Sequence, residues 1–368
     1  METKSKSNVF KISRSYDLKQ MLGQGAYGTV AWAIHKPTST PVAVKKIEPF
    51  TKTLVCLRTI RELQLLNFFA NHENIIGLFD VQKPKDFESF QEVYLIQEYM
   101  PCDLHKIIHT LNLLNQHIKF IIYQILRGLR VIHSANVIHR DLKPSNILIN
   151  WACEVKICDF GLARIVGSEL LELDSNLTEY VATRWYRAPE IMLLQSMYST
   201  AVDLWSVGCI MAELFMAYPL FPGKDYKNQL QLIFDYLGTP KGDDLNCIKL
   251  QRAKSYIILL PDSEPVKVGY YFLNHPRRIA KYGYVPVDEQ GLDLMTNLLS
   301  FNPENRYTST EALFHSYLSS YHKSTLEPVA GITLEPTFFD RKSKGDLTMS
   351  DLKQYLFDEV VSFSRYRY

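Results

Sequence analysis

The chain has no Cys-x-x-Cys pair, no uninterrupted apolar run of about 18 residues, no internal repeat, no low-complexity tract and little net charge. Each absence removes a class of protein. The six cysteines (Cys56, Cys102, Cys153, Cys158, Cys209 and Cys247) are scattered, which argues against zinc ribbons and thioredoxin-type redox motifs and for free thiols in a reducing compartment. The first twenty residues carry charge but no apolar core, so no secretory signal is expected, and without a long apolar run no membrane span is expected either. A formal net charge of +2 is too small to argue for nucleic acid or an anionic membrane surface as a partner. What remains is a globular chain: 368 residues, 46% of them hydrophobic, enough for two compact units with cores of their own.

Hydrophobic spacing divides the chain near residue 100. Residues 16 to 47 alternate as strands do, with GTVAWAIH and PVAVKKI separated by the turn-like KPTST. LRTIRELQLLNFFA then has helical periodicity, and VYLIQEYM reads as a further strand. Beyond Pro101 the pattern is mostly helical, in NQHIKFIIYQILRGLRVIHSA, AVDLWSVGCIMAELFM, KNQLQLIFDYLG and GLDLMTNLLSF, with a capping box at Thr308 and Glu311. The last stretch reads as loop ending in an amphipathic helix, MSDLKQYLFDEVVSF.

Four motifs could carry chemistry. GQGAYGTV places Gly23, Gly25 and Gly28 where backbone amides could approach phosphate oxygens; because a strand and not a helix follows, the loop suggests a hairpin lid, and alone it also fits an ordinary glycine-rich hairpin. VAVK puts Lys45 in an apolar strand, where an ammonium needs an anion; Glu62 on the next helix is a candidate, and a strand-end lysine reaching solvent is the plainer alternative. IHRDLKPSNILI brings Asp141, Lys143 and Asn146 onto one loop: an acid to accept a hydroxyl proton, an ammonium to neutralise a transferring phosphoryl group and an amide to ligate a metal. KICDFGLAR places Asp159 at a strand end, suited to magnesium. Any one of these could be a surface loop. Four in this order and spacing could not reasonably arise by accident.

From residue 16 to 318 the chain resembles the eukaryotic protein kinases, through GQGAYG, VAVK, HRDLKPSN, DFG and APE, with Asp203 in the following helix and Arg306 near the end. Lys143 makes the resemblance one to the serine/threonine type. It implies an α+β bilobal fold: an N-terminal extension over 1–15, a small β-rich lobe over 16–100, a larger helical lobe over 101–318 with an activation segment at 159–190, and a C-terminal extension over 319–368. It also implies ATP and Mg2+ as cofactors in the cleft. By position Lys45 would hold the α- and β-phosphates and pair with Glu62, Asp141 would orient and deprotonate the acceptor hydroxyl, Lys143 would stabilise the γ-phosphoryl group, and Asn146 and Asp159 would hold magnesium. Gly23, Gln24, Gly25, Ala26, Tyr27 and Gly28 would cover the phosphates. Val30, Ala43 and Leu148 would sandwich the adenine, with Gln97 behind it and Glu98 and Met100 offering backbone hydrogen bonds. Glu190 and Arg306 look like the family's structural ion pair.

The stretch LTEYVATRWYRAPE narrows the match. Thr178-Glu179-Tyr180 resembles the activation lip of mitogen-activated protein kinases of the extracellular-signal-regulated type. VAVKKIEPF, DLHKII and the RAKSYI segment are most similar to the fungal mating and filamentation branch. The resemblance implies activation by phosphorylation of Thr178 and Tyr180. Each phosphate adds about −1.5 to −2 charge; Arg61, Arg140 and Arg164 would grip the first, and Arg184 and Arg187 the second. It further implies an upstream dual-specificity kinase, substrates with Ser/Thr-Pro sites, phosphatases as partners, no direct nucleic acid or membrane, and a cytoplasmic and nuclear location. A nucleotide-binding pseudokinase or scaffold is disfavoured because Lys45, Asp141, Asn146 and Asp159 are all present, and a cyclin-activated kinase because of the Thr-Glu-Tyr lip.

Three departures from the family pattern stand out. In YHKSTLEP, Lys323 and Leu326 occupy positions where relatives carry aspartates that dock basic peptides, leaving Glu327. Residues 264 to 286 form a tyrosine-rich, basic stretch that reads as a long surface extension or, less plainly, a docking surface. His315-Ser316 replaces the usual His-Pro, which softens a helix turn.

Overall fold

The computed structural model describes residues 10–25, 28–167, 184–193, 199–336 and 348–363. These fall into two compact units, one built from the residues up to Pro101 with the C-terminal helix, the other beginning at Cys102. Among the described residues no helix is long and apolar enough to cross a membrane.

The first unit is a five-stranded antiparallel sheet in the order β1-β2-β3-β5-β4. Its strands are β1 (Tyr16–Gly25), β2 (Gly28–His35), β3 (Thr40–Ile47), β4 (Leu78–Val81) and β5 (Val93–Glu98). The period-2 alternation of GTVAWAIH is realised: Ala31 and Ala33 point inward beside Val42, Val44 and Ile96, and Phe10, Tyr16 and Tyr94 close the same cluster. Burying these side chains, at about 25 cal/mol per Å² of apolar surface, drives the sheet's formation.

Helix α1 (Thr53–Phe68) begins earlier than the periodic stretch suggested and buries Leu63, Leu65 and Leu66. The C-terminal helix Met349–Ser362 packs against it. Leu352, Leu356 and Val360, four residues apart, form its buried stripe. The Phe357 ring meets Phe87 and Phe90 edge-on at 5.4 and 5.6 Å, and the Lys353 ammonium lies 4.9 Å from the Phe87 ring centre. Gln64 of α1 donates to the Tyr355 hydroxyl and to Glu359 Oε1. A capping box between Thr348 and Asp351 starts the helix.

The second unit contains two small sheets, β6-β8-β9 and β10-β7, formed by β6 (Cys102–Asp103), β7 (Val137–Ile138), β8 (Ile147–Ile149), β9 (Val155–Ile157) and β10 (Arg164–Ile165). Helices α2 (Leu104–Thr110) and α3 (Asn115–Ser134) lie between β6 and β7, and after β10 come α4 (Pro189–Met192), α5 (Ala201–Met216), α6 (Tyr226–Leu237), α7 (Gln251–Ile258), α8 (Val268–Asn274), α9 (Pro276–Tyr282), α10 (Glu289–Leu298) and α11 (Ser309–Leu313). The C-terminal helix is α12. Helix α5 is the axis of the unit: every residue from Val202 to Met216 is buried. A helix apolar on all sides has to be enclosed by others, and α3 and α10 pack on it. Gly208 makes the second contact possible, since a Cβ there would lie 2.8 Å from the Leu299 side chain. The tyrosine-rich stretch lies mostly at the surface, with Tyr270, Tyr284 and Val285 exposed, but it is folded, as α8 and α9, and buries Phe272 and Arg278.

Candidate active site

The first unit contributes a glycine-bearing strand pair and one ion pair. β1 and β2 remain hydrogen-bonded to the end of their hairpin, where Gly25 pairs with Gly28; Gln24 lies in the strand, while Ala26 and Tyr27 lie outside the described residues. At Gly23 and Gly25 an added Cβ would have no neighbour within 4 Å among the described residues. At Gly28, by contrast, a Cβ would fall 2.3 Å from the Lys46 carbonyl oxygen of the neighbouring strand. Only glycine fits there. On β3 the register sets Lys45 opposite Val30 on one side and Leu95 on the other, and Ala43 opposite Gln97. Lys45 Nζ reaches Glu62 Oε1 of α1 at 2.6 Å, with both side chains largely shielded from solvent. The strand lysine therefore has the anion its surroundings demand. Gln97 and Met100 are buried, and the Glu98 amide donates to the Gly77 carbonyl at 2.9 Å.

The second unit contributes the acidic loop. Pro144–Asn146 forms a single 3-10 turn between Lys143 and β8, folding the loop back on itself. Asp141 Oδ2 thereby accepts from Lys143 Nζ at 2.7 Å and from Asn146 Nδ2 at 3.0 Å, while the same amide nitrogen donates to the Asp141 carbonyl at 2.7 Å. The β8–β9 hairpin carries Leu148 opposite Lys156. Beyond it the Cys158 amide donates to the Asn146 carbonyl at 3.0 Å, which brings Asp159 beside the loop.

This arrangement is anchored from beneath by Asp203 of α5, wholly buried. Its carboxylate accepts from the backbone amides of His139 at 2.8 Å and Arg140 at 2.9 Å, and from His133 Nε2 at 2.9 Å. Burial alone would raise this carboxyl; the hydrogen bond and charge of His133, with His139, hold it below the usual carboxylate range. His139 accepts the Asp141 amide at Nδ1 and meets the Cys158 carbonyl at Nε2, so its neutral form carries the proton on Nε2. Arg140 (φ +68°) and Asp159 (φ +65°) are both held in the left-handed region, which costs about 1–3 kcal/mol for a non-glycine residue and persists only where surrounding bonds enforce it.

The five candidate phosphate-gripping arginines are distributed as follows. Arg61 is buried on α1 of the first unit. In the second unit, β7–β10 pairing sets Arg164 opposite Ile138, two residues before Arg140; Arg140 donates to the Leu162 carbonyl at 3.3 Å and Arg164 to the Ala163 carbonyl at 2.7 Å. Arg184 donates to the Lys224 carbonyl at 2.9 Å and Arg187 to the Tyr226 hydroxyl at 2.8 Å. Thr178 and Tyr180 lie outside the described residues. Arg306 grips Glu190 through two parallel bonds, 2.8 and 3.2 Å, in a fully buried fork. Glu327, the acid remaining in YHKSTLEP, is buried and committed to Arg130 at 3.1 Å, His322 at 2.9 Å and the Lys323 amide at 3.0 Å. Leu326 beside it is half exposed.

Sequence reasoning treated Asp203 only as a landmark and missed His133 and His139. Asp203 did carry a signal: it is one of two acids in a mostly apolar helix, and a buried acid needs donors. His133 carried none.

A β-sheet unit with a glycine hairpin and a strand lysine paired to a helix glutamate, and a helical unit with an Asp-Lys-Asn loop, together define a protein kinase. Residues 16–318 match the protein kinase domain family. Curated relatives narrow this. The chain is 50% identical to mitogen-activated protein kinase 2 of Pneumocystis carinii, over 98% of this chain and 99% of that one. It is 50% identical to extracellular signal-regulated kinase 1 of Candida albicans (strain WO-1), over 96% and 85%, and 49% identical to mitogen-activated protein kinase mpkB of Aspergillus fumigatus, over 97% of each. The chain belongs to the mitogen-activated protein kinases, a family of serine/threonine kinases, and these relatives, all fungal, fit the fungal branch.

Proposed function

We propose that the protein transfers the γ-phosphoryl group of ATP to serine or threonine followed by proline, in a signalling cascade, once an upstream dual-specificity kinase has phosphorylated Thr178 and Tyr180. The observation that carries this reading is Asp141, held between Lys143 and Asn146 on a loop anchored to Asp203. A carboxylate so placed can orient an acceptor hydroxyl and take its proton, and the adjacent ammonium can meet the charge that develops on the transferred group.

The donor set fits the expected cofactors. The amide oxygen of Asn146 and the carboxylate of Asp159 are hard oxygen ligands of the kind Mg2+ takes. The bound metal–nucleotide supplies the phosphoryl group and part of its charge neutralisation. Among the described residues nothing crowds Gly23 and Gly25, which leaves room for phosphates, and Lys45, oriented by Glu62, would hold them. Val30, Ala43 and Leu148 offer apolar surface to the base, with Gln97 behind. Because the Glu98 amide is committed to Gly77, its part in adenine binding falls to its carbonyl, with Met100 supplying backbone contact as well.

A phosphate on Tyr180 would compete for Arg184 and Arg187 with the Lys224 carbonyl and the Tyr226 hydroxyl, and one on Thr178 would be gripped by Arg61, Arg140 and Arg164. Phosphatases would reverse the state, and the protein would work in cytoplasm and nucleus.

Docking of basic peptides at YHKSTLEP would be weakened, since Glu327 is internally neutralised and Lys323 adds positive charge. Phosphosite mapping after treatment with a dual-specificity kinase, followed by assay on a Ser-Pro peptide, tests the whole reading. Activity should rise only when both sites are filled and should disappear in Asp141→Asn and fall in Thr178→Ala; equal turnover by modified and unmodified protein would refute it.

A further inference from the structure

Outside the candidate active site, the second unit contains a cluster that phosphoryl transfer does not use. His105 and His109 lie four residues apart on α2, so both rings emerge from one face, and their centroids are 4.4 Å apart. Both are exposed, and facing them from α5 is Glu213, whose side chain is completely buried. One of its carboxylate oxygens, Oε2, accepts the Tyr186 hydroxyl at 2.6 Å. The other, Oε1, has no hydrogen-bond partner among the described residues and points to His109, with Nε2 at 3.9 Å. Buried carboxylate oxygens are rarely left unsatisfied, and such a group points to strain, a bound water or a bound ion. The ligand atoms of all three side chains lie within 4.8 Å of one another.

We propose that His105, His109 and Glu213 form a transition-metal site of the zinc type, with a fourth position open to water. Two imidazoles and one carboxylate make a borderline-soft donor set that selects Zn2+ or its near neighbours over Mg2+ and Ca2+, which require an all-oxygen shell. A tetrahedral ion with bonds of about 2.0 Å needs its ligands somewhat closer than they are here. Rotation of the two exposed imidazoles supplies that movement while Glu213 forms a fixed floor. Tyr186 plays the part of an outer partner, holding the carboxylate by its far oxygen.

Lys281 of α9 is a neighbouring cation, and its ammonium is tied to the Ile108 carbonyl. Through Tyr186, occupancy of the site would also reach the Arg184–Tyr186 turn that leads into α4.

The test is calorimetric titration of the full-length, tag-free chain with Zn2+, in the presence of Mg2+, with Co2+ as a spectroscopic probe. The expected result is one tight equivalent of Zn2+, a visible Co2+ ligand-field spectrum of tetrahedral intensity, and a rise in melting temperature on metal addition. His105→Ala and His109→Ala, both at exposed positions that should not disturb folding, should each weaken binding about 10–100-fold or more, and Glu213→Gln likewise. Binding that survives undiminished in the His105→Ala/His109→Ala double variant, or no binding beyond a non-specific background, would overturn the proposal.

Discussion

Replacing Asp203 by asparagine tests the central positioning argument. The carboxylate accepts two backbone amides and one imidazole in a fully buried setting. Asparagine keeps the shape but has one acceptor oxygen and turns an N–H₂ group toward a donor. Hydrogen bonds to a charged group are worth about 1.5–3 kcal/mol each, and breaking a buried charged cluster costs about 3–5 kcal/mol. The non-additive total should be about 3–5 kcal/mol, or about 6–20 °C in melting temperature for a unit of this size. Once its amide loses the anchor, Arg140 can relax from φ +68°, and Asp141 moves with it. A displacement of about 1 Å at a reacting group costs about 100-fold, so kcat should fall by that order when measured well below the variant's melting point. The pH dependence provides an independent readout. The folded carboxyl lies below its ordinary 3.8, so the stability it contributes is complete above that value and is lost as pH falls through the folded value. The variant should lack that acid limb. Denaturation across pH and steady-state phosphotransfer are the assays; a variant matching the wild type in melting temperature and kcat would refute the anchoring role.

Three further outcomes are expected. Glu190→Ala and Arg306→Ala should each cost about 3–5 kcal/mol in chemical denaturation, because each leaves a buried charge alone, and the double variant should cost much less than their sum; strict additivity would deny the coupling. Gly28→Ala should introduce about 1–3 kcal/mol of strain against the Lys46 carbonyl and raise the KM for ATP, and unaltered nucleotide affinity would show that the hairpin tolerates a Cβ there. Leu356→Ala on α12 should cost about 2–5 kcal/mol and accelerate hydrogen exchange along α1, which it covers; unchanged protection of the amides around Glu62 would show that α12 does not brace that helix.

Much of the candidate site's geometry was readable from residue type alone, because its charged and amide groups lie at short spacings or need an opposite charge. Lys45 demanded an anion and Glu62 is it. Asp141, Lys143 and Asn146 lie within six positions of one another, and a single turn brings them together. What could not be read depends on long-range packing. Nothing local in MSDLKQYLFDEVVSF says that its apolar stripe covers α1, and nothing in YHKSTLEP says that Glu327 turns inward to Arg130. The composition of residues 264–286 suggested surface, yet Phe272 and Arg278 find partners from α5 and within α9's own turn. His105 and His109 were unremarkable until α5 placed Glu213 opposite them.

The position of α12 has a consequence for biosynthesis. The sheet and α1 emerge first from the ribosome, but the helix that covers α1 is translated after the whole of the second unit. Vectorial folding, in which an amino-terminal domain matures while the rest is still being made, therefore cannot reach completion in this unit. Until the final helix arrives, the Gln64 face of α1 lacks its cover, on the same helix whose Glu62 pairs with Lys45.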